Sequence, residues 1–257
     1  MSDKTILDCV VDAYKEYWTF LGSMRGINNV PGKICRLEGD VSVTYFVTLD
    51  ENSIEAELAD MADKIKAQES NNEFIVIPEL YTTNIEDAIA RNSHFKLGHS
   101  YGMAKELSHE GYGKQEDKEL NIFRVNDRVH LKICGAILNA GFEYDLFAFT
   151  HYLDAFNNHK IRFYLAECKG LPIGACMSMY GKDYVEIVWI GTLKGYRKKG
   201  IATKVMQMAE MDALRAGKTL SILTCGQENR KTYEGMGYTQ RCTLLSITYQ
   251  PEMQSPD

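Results

Sequence analysis

Ile190-Gly191-Thr192-Leu193-Lys194-Gly195-Tyr196-Arg197-Lys198-Lys199-Gly200-Ile201-Ala202-Thr203 is the stretch on which the reading of this chain turns. An apolar strand, Tyr184 to Leu193, runs into a loop with two glycines and four cations. The loop then opens a helix, about Gly200 to Ala216, whose apolar positions include Ile201, Val205, Met208 and Met211. A helix N-terminus offers unpaired N–H groups and a partial positive charge, and glycine lets the backbone approach an anion closely. Cations are unfavourable at that end of a helix unless something anionic sits there. Lys194, Arg197, Lys198 and Lys199 therefore read as the local field of a phosphate cradle in an otherwise acidic protein.

Two phosphate-binding classes compete for this pattern. Gly195 and Gly200 have the spacing of the first two glycines of a P-loop, but Ile201 and Ala202 stand where Lys and Ser or Thr would hold phosphates and magnesium. Arg197-x-x-Gly200-x-Ala202 instead resembles the Arg/Gln-x-x-Gly-x-Gly/Ala motif of the GNAT superfamily of acyl-CoA N-acyltransferases. Asn229-Arg-Lys-Thr-Tyr-Glu-Gly-Met-Gly-Tyr238 is similar to that family's Tyr-Glu-x-x-Gly-Phe signature. The resemblance covers about Asn121 to Thr248. It implies an α/β (α+β) fold with a mixed, mostly antiparallel central sheet flanked by helices. It implies an N-acetyltransferase that uses acetyl-CoA and passes the acyl group directly to a primary amine, on a small molecule or a peptide. Backbone groups of Ile190, Gly191 and Thr192 would meet the pantetheine arm. Arg197, Lys198, Lys199, Gly200, Ile201 and Ala202, with Thr203 completing the cofactor-binding set, would cradle the pyrophosphate largely through the main chain.

Acyl transfer to an amine needs an unprotonated nucleophile, a stabilised oxyanion and a proton for the departing thiolate. The resemblance makes Tyr233 the proton donor, since the family places its general-acid tyrosine in this signature; the alternative is a half-buried tyrosine packing on the sheet. Where many relatives carry Asn seven residues before this Tyr, Gly226 stands here, and Asn229 lies four before. Glu186 is the candidate base. Its strand is apolar on both faces, so the carboxylate shares a face with Val188 and Ile190, and burial there is costly without a purpose or a partner. It lies 11 residues before Arg197, the spacing of the base in histone-type members; the alternative is pairing with a Lys or Arg at a sheet end. Cys225, ending the strand before the Tyr233 helix, is a weaker candidate for an acyl-cysteine, with no His nearby to activate it. The competing function is a CoA-binding sensor, or an inactive GNAT-like interaction module.

Upstream, Val41 to Leu49, Phe74 to Ile77 and Leu97 to Leu107 read as strands, with helices over Ile54 to Lys66 and Ile85 to Arg91. Downstream come a strand from Asn121 to Val125, helices over Arg128 to Asn139 and Leu146 to Asn157, and strands Ile161 to Glu167 and Ile173 to Tyr180. The turn Lys-Gly-Leu-Pro joins the last two. A strand from Thr219 to Thr224, a short helix near Asn229 to Gly235 and a strand from Tyr238 to Thr248 follow. Phe46 to Leu49 and Ile190 to Leu193 open similar element orders that close on Phe95 and Tyr238, a faint repeat. It suggests two tandem similar domains: 1–110 a degenerate copy with Asp50 to Ser53 in place of the phosphate loop, 111–120 a polar linker, and 121–257 the acetyl-CoA-binding catalytic domain.

At 257 residues, 45% hydrophobic and 25% charged, the chain can bury a sizeable core, and its net charge of −6 argues against a nucleic-acid surface. It has no run of 18 apolar residues and no signal-peptide pattern at its start, so a cytoplasmic protein without a membrane partner is expected. Its seven cysteines lack CxxC spacing and read as reduced. The six histidines make no metal pattern, and no metal is expected. A homodimer is compatible with the sequence.

Overall fold

In the computed structural model the described residues are 2–23, 42–45, 73–78, 95–110, 112, 119–142 and 149–249, with single positions at 56, 59, 87 and 91. Apart from those single positions, the helices expected over Ile54 to Lys66 and Ile85 to Arg91 lie outside them. So do Asp50 to Ser53, most of the linker, Cys35 and the tail from Gln250. The order is α1 (Asp3–Ser23), β1 (Ser42–Tyr45), β2 (Glu73–Pro78), β3 (Phe95–Glu106), β4 (Leu120–Arg124), α2 (Arg128–Phe142), α3 (Phe149–Asn157), β5 (Ile161–Cys168), β6 (Leu171–Tyr180), β7 (Tyr184–Thr192), α4 (Ile201–Arg215), β8 (Leu220–Cys225), α5 (Gln227–Glu234) and β9 (Thr239–Tyr249). Helix α1 was not anticipated. Its signal was present, since Ile6, Val10, Ala13 and Tyr14 recur at helical spacing and are buried, and Ser2 Oγ accepts from Thr5 N at 3.2 Å to start it. Among the described residues no helix is long and apolar enough to cross a membrane.

The chain divides into two compact units, each assembled from separated stretches. The first comprises Met1–Ala13, Ala104–Leu223 and Tyr233–Thr239; the second comprises Tyr14–Met103, Thr224–Thr232 and Gln240–Asp257. In the second, β1 runs parallel to β2, β2 antiparallel to β9, and β3 lies beside β9.

In the first unit β4, β5, β6 and β7 are successive antiparallel neighbours, and β8 joins β7 in parallel after the α4 crossover. The β5–β6 hairpin turns on Lys169 (φ 52°) and Gly170 (φ 77°), a two-residue loop with both central residues in the left-handed region. Leu171 and Pro172 therefore lie in β6 rather than in the turn, with Pro172 opposite Glu167 at a register shift. Alternation along β5 sends neighbouring side chains to opposite layers. Phe163 meets Tyr152 of α3 edge-on at 6.2 Å, while the Tyr164 hydroxyl donates to Asp212 Oδ2 of α4 at 3.2 Å.

Helix α2 starts at Arg128 because Asp127 Oδ1 accepts from the N–H groups of Val129 and His130, both at 2.9 Å. The His130 backbone N–H, the main cause, holds the Asp127 carboxyl below the usual carboxylate range. Helix α4 stops in a Schellman turn: Gly217 has φ 77° and Lys218 N donates to Ala213 O at 2.9 Å.

Helix α2 packs backbone to backbone on β7. A Cβ added at Gly141 would lie 2.8 Å from Gly191 Cα, and one at Gly191 would lie 3.2 Å from Leu138 Cα. Backbone atoms cannot step aside as a flexible side chain can. Gly to Ala in a helix ordinarily stabilises by about 1 kcal/mol, but here overpacking of roughly 1–3 kcal/mol should dominate. Gly141→Ala should therefore lower the urea midpoint at constant m-value, and a raised midpoint would show that the seam gives way.

Candidate active site

The strand that carries the site separates from its neighbour. The described β7–β8 register comprises Tyr184↔Leu220, Val185↔Ser221 and Glu186↔Ile222, and ends there. Just beyond it, β7 holds an extra residue against β6: Met177 faces Val188, but Ala175 faces Gly191. Trp189 takes φ 46°, an unusual value for a non-glycine residue. Such a bulge sharpens the local twist and bends the strand. From Ile187 to Thr192, β7 is thus held by β6 alone among the described strand pairings. Its other edge suits an extended ligand that hydrogen-bonds to the main chain as an added strand would.

The bulge also corrects the face assignment of Glu186. Cross-strand partners share a face, so Glu186 (opposite Met179), Val188 and Gly191 lie together, and Ile190 falls on the other side. Glu186 is 1% exposed and sits at the last described rung between β7 and β8.

The loop after β7 forms a 3-10 turn at Lys194–Tyr196 and then enters α4 through Lys198 (φ 61°) and Gly200 (φ 75°). Gly200 is the N-cap of α4, and no side chain caps the helix or places an acid in its first turn. The first α-helical bond runs from Lys204 N to Gly200 O at 3.0 Å, which leaves the N–H groups of Ile201, Ala202 and Thr203 outside the α4 ladder. A Cβ at Gly195 or Gly200 would meet nothing within 4 Å. Arg197, Lys198, Lys199 and Gly200 are exposed, Ile190, Thr192, Ala202 and Thr203 half-buried, and Gly191 and Ile201 buried.

Arg197 bonds to main-chain carbonyls on two elements. Its Nε donates to Thr192 O at 3.1 Å and its Nη2 to Gly141 O at 2.7 Å, tying the loop to the end of β7 and to the C-terminus of α2. That cation satisfies a terminal helix carbonyl and sits at the negative end of the helix dipole. Those two bonds tie the loop down, while Lys199 rests over the Tyr196 ring at 5.2 Å. Thr192 Oγ1, where strand meets loop, is buried with no hydrogen-bond partner in the described structure.

Tyr233 lies at the end of α5, half-buried. Its carbonyl accepts from Met236 N and Tyr238 N, both at 3.0 Å, and its ring meets Tyr238 edge-on at 6.2 Å. Cys225 is buried and its Sγ faces Met103 Sδ at 3.4 Å. The cysteines among the described residues are free thiols. Sequence reasoning missed Gly141 and Gly174, which keep the region tight; a Cβ at Gly174 would lie 2.6 Å from Ile201 Cγ2. No local pattern marks either glycine, because each faces an element distant in sequence.

A family model described as an acetyltransferase (GNAT) domain matches residues 159–240. No curated protein matches the sequence. Among solved structures, a GCN5-related N-acetyltransferase from Kribbella flavida superposes with TM-score 0.67 at 16% identity, over 93% of this chain and 95% of that one. A GCN5-related N-acetyltransferase from Sphaerobacter thermophilus gives 0.67 at 13% identity, over 84% and 75%. A functionally unknown conserved protein from Staphylococcus epidermidis gives 0.64 at 15%, over 87% and 93%. Likeness at such identities speaks to the fold. Residues 159–240 thus match the GNAT acetyltransferase domain model, and the fold resembles those of the GCN5-related structures, with a mixed, mostly antiparallel sheet flanked by helices.

Proposed function

We propose that the protein is an N-acetyltransferase that binds acetyl-CoA in the first compact unit and moves its acetyl group to a primary amine. The observation that carries this reading is the conjunction at the end of β7: a strand edge released by a bulge leads into an α4 N-terminus with a left-handed glycine, open space and surrounding cations. These residues fit an extended thiol arm followed by a pyrophosphate. Backbone groups of Ile190, Gly191 and Thr192 would hold the arm. The N–H groups at the start of α4 would hold the phosphates, with Lys198 and Lys199 adding charge and Arg197 bracing the loop. Bound there, acetyl-CoA would supply an activated acyl thioester. Tyr233 Oη would carry the proton for the leaving sulfur, and the Glu186 carboxylate would accept the proton of the incoming amine.

The reading is tested by linkage. At about 100 times its Kd, acetyl-CoA should stabilise the fold by about 2.7 kcal/mol, on the order of 5–10 °C in melting temperature. Gly200→Val should abolish that rise by pressing a side chain into the opening. The melting temperature without ligand reports any strain at φ 75° separately. An unchanged rise in the variant would move the site elsewhere.

The tandem arrangement is likewise a proposal. The strands expected in the first half occur as β1, β2 and β3, and β1∥β2 repeats the parallel relation of β7 and β8. Acetyl-CoA bound at Asp50 to Ser53 in a soaked crystal would overturn the assignment of that half as the degenerate copy.

A further inference from the structure

Helix α4 carries a buried acid that the proposed chemistry does not use. Glu210 is 1% exposed on a face otherwise built from Val205, Met206, Ala209 and Ala213. Three donors surround it: Lys105 Nζ and Tyr112 Oη reach Oε2, both at 2.9 Å, and Tyr238 Oη reaches Oε1 at 2.7 Å. Tyr238 Oη also lies 2.6 Å from Ser221 Oγ, and Lys105 Nζ stands 5.7 Å from the centre of the Tyr238 ring. Taking a carboxylate and an ammonium out of water costs more than an apolar residue of similar volume would at the same place. A core that only needed filling would be better served by Met or Leu.

What the network holds still is Tyr238, and Tyr238 in turn touches Tyr233 twice, through its N–H on the Tyr233 carbonyl and through the edge-on ring contact. We propose that Glu210 is a positioning residue: by anchoring the Tyr238 hydroxyl, it fixes the backbone and ring of Tyr233 and so aims the Tyr233 hydroxyl. Burial, followed by the Glu210 charge, pushes the Tyr238 phenol well above its ordinary value, so it remains a donor to the carboxylate. The inference rests on Tyr233 being the proton donor.

Because Glu210 acts through Tyr233, its effect must disappear when Tyr233 has no hydroxyl. The experiment measures thiol release from acetyl-CoA with the best acceptor of an amine panel, or with water where no amine is accepted. Glu210→Gln and Tyr238→Phe are each made in the wild-type and in the Tyr233→Phe backgrounds. Each should lower kcat roughly 10-fold in the wild-type background through misalignment, with little change in KM for acetyl-CoA and little further loss in the Tyr233→Phe background. Tyr238→Phe keeps the ring and the Lys105–Glu210 pair, so it serves where Glu210→Gln fails to fold. Equal losses in both backgrounds, or no loss in either, would reduce the network to a structural staple while leaving Tyr233 as the acid. A near-normal rate for Tyr233→Phe alone would instead remove the acid assignment, and a wild-type protein releasing no thiol would remove the enzyme reading with it.

Discussion

Tyr233→Phe should lower kcat by roughly 10- to 1000-fold while leaving CoA affinity nearly unchanged, because a general acid contributes in the transition state and little in the ground state. The substitution removes one oxygen from a half-buried ring. The backbone bonds from Met236 N and Tyr238 N, and the ring contact with Tyr238, are all made by atoms that phenylalanine retains. A fall in rate therefore reports the hydroxyl rather than the fold. A parallel rise in Kd for CoA would point to a binding role, and an unchanged kcat with a good acceptor would exclude Tyr233 as the donor.

Glu186→Gln is expected to cost roughly 100- to 10,000-fold at neutral pH, the usual range for a positioned general base. Its signature is the pH profile. A carboxylate that must be ionised to accept a proton gives the wild-type enzyme an acidic limb. With glutamine in its place that limb should vanish, and the rate should climb as the amine itself deprotonates. Glutamine is nearly isosteric and stays polar, which suits a position 1% exposed at the last described rung between β7 and β8. A mutant profile parallel to that of the wild type at every pH would show that Glu186 is structural. The base would then be sought on the loops around the acceptor site.

The strand–loop–helix passage that follows β7 was legible because its signals are local. An apolar strand, a glycine able to adopt φ 75°, clustered cations and an amphipathic helix follow one another within Ile190 to Thr203. The helix starting after Asp127 and the hairpin near Gly170 were legible for the same reason, although Pro172 drew the turn two residues too far. Helix α1 shows a weaker form of the same legibility: the periodicity of Ile6, Val10 and Ala13 was there to be read.

Residues that act across the fold leave no such trace. Period-2 reasoning put Glu186 and Ile190 on one face, and a single extra residue in β7, set against Cys176 of another strand, undid it. The sequence marked Arg197 as a cation of the cradle, but it could not show that the guanidinium also binds Gly141 O, 56 residues away. Lys105 and Glu210, 105 residues apart, become partners only once β3 and α4 are folded. The amino-acid sequence alone determined where the chain can turn, which segments are apolar and where glycine leaves the backbone open, because each is a property of a few adjacent residues. Only the tertiary structure decided how β7 leaves β8, which carbonyls the Arg197 side chain meets and which acid is buried beside Tyr238. Those depend on register and close approach between distant segments, and the free energy of such contacts exists only when both partners are in place.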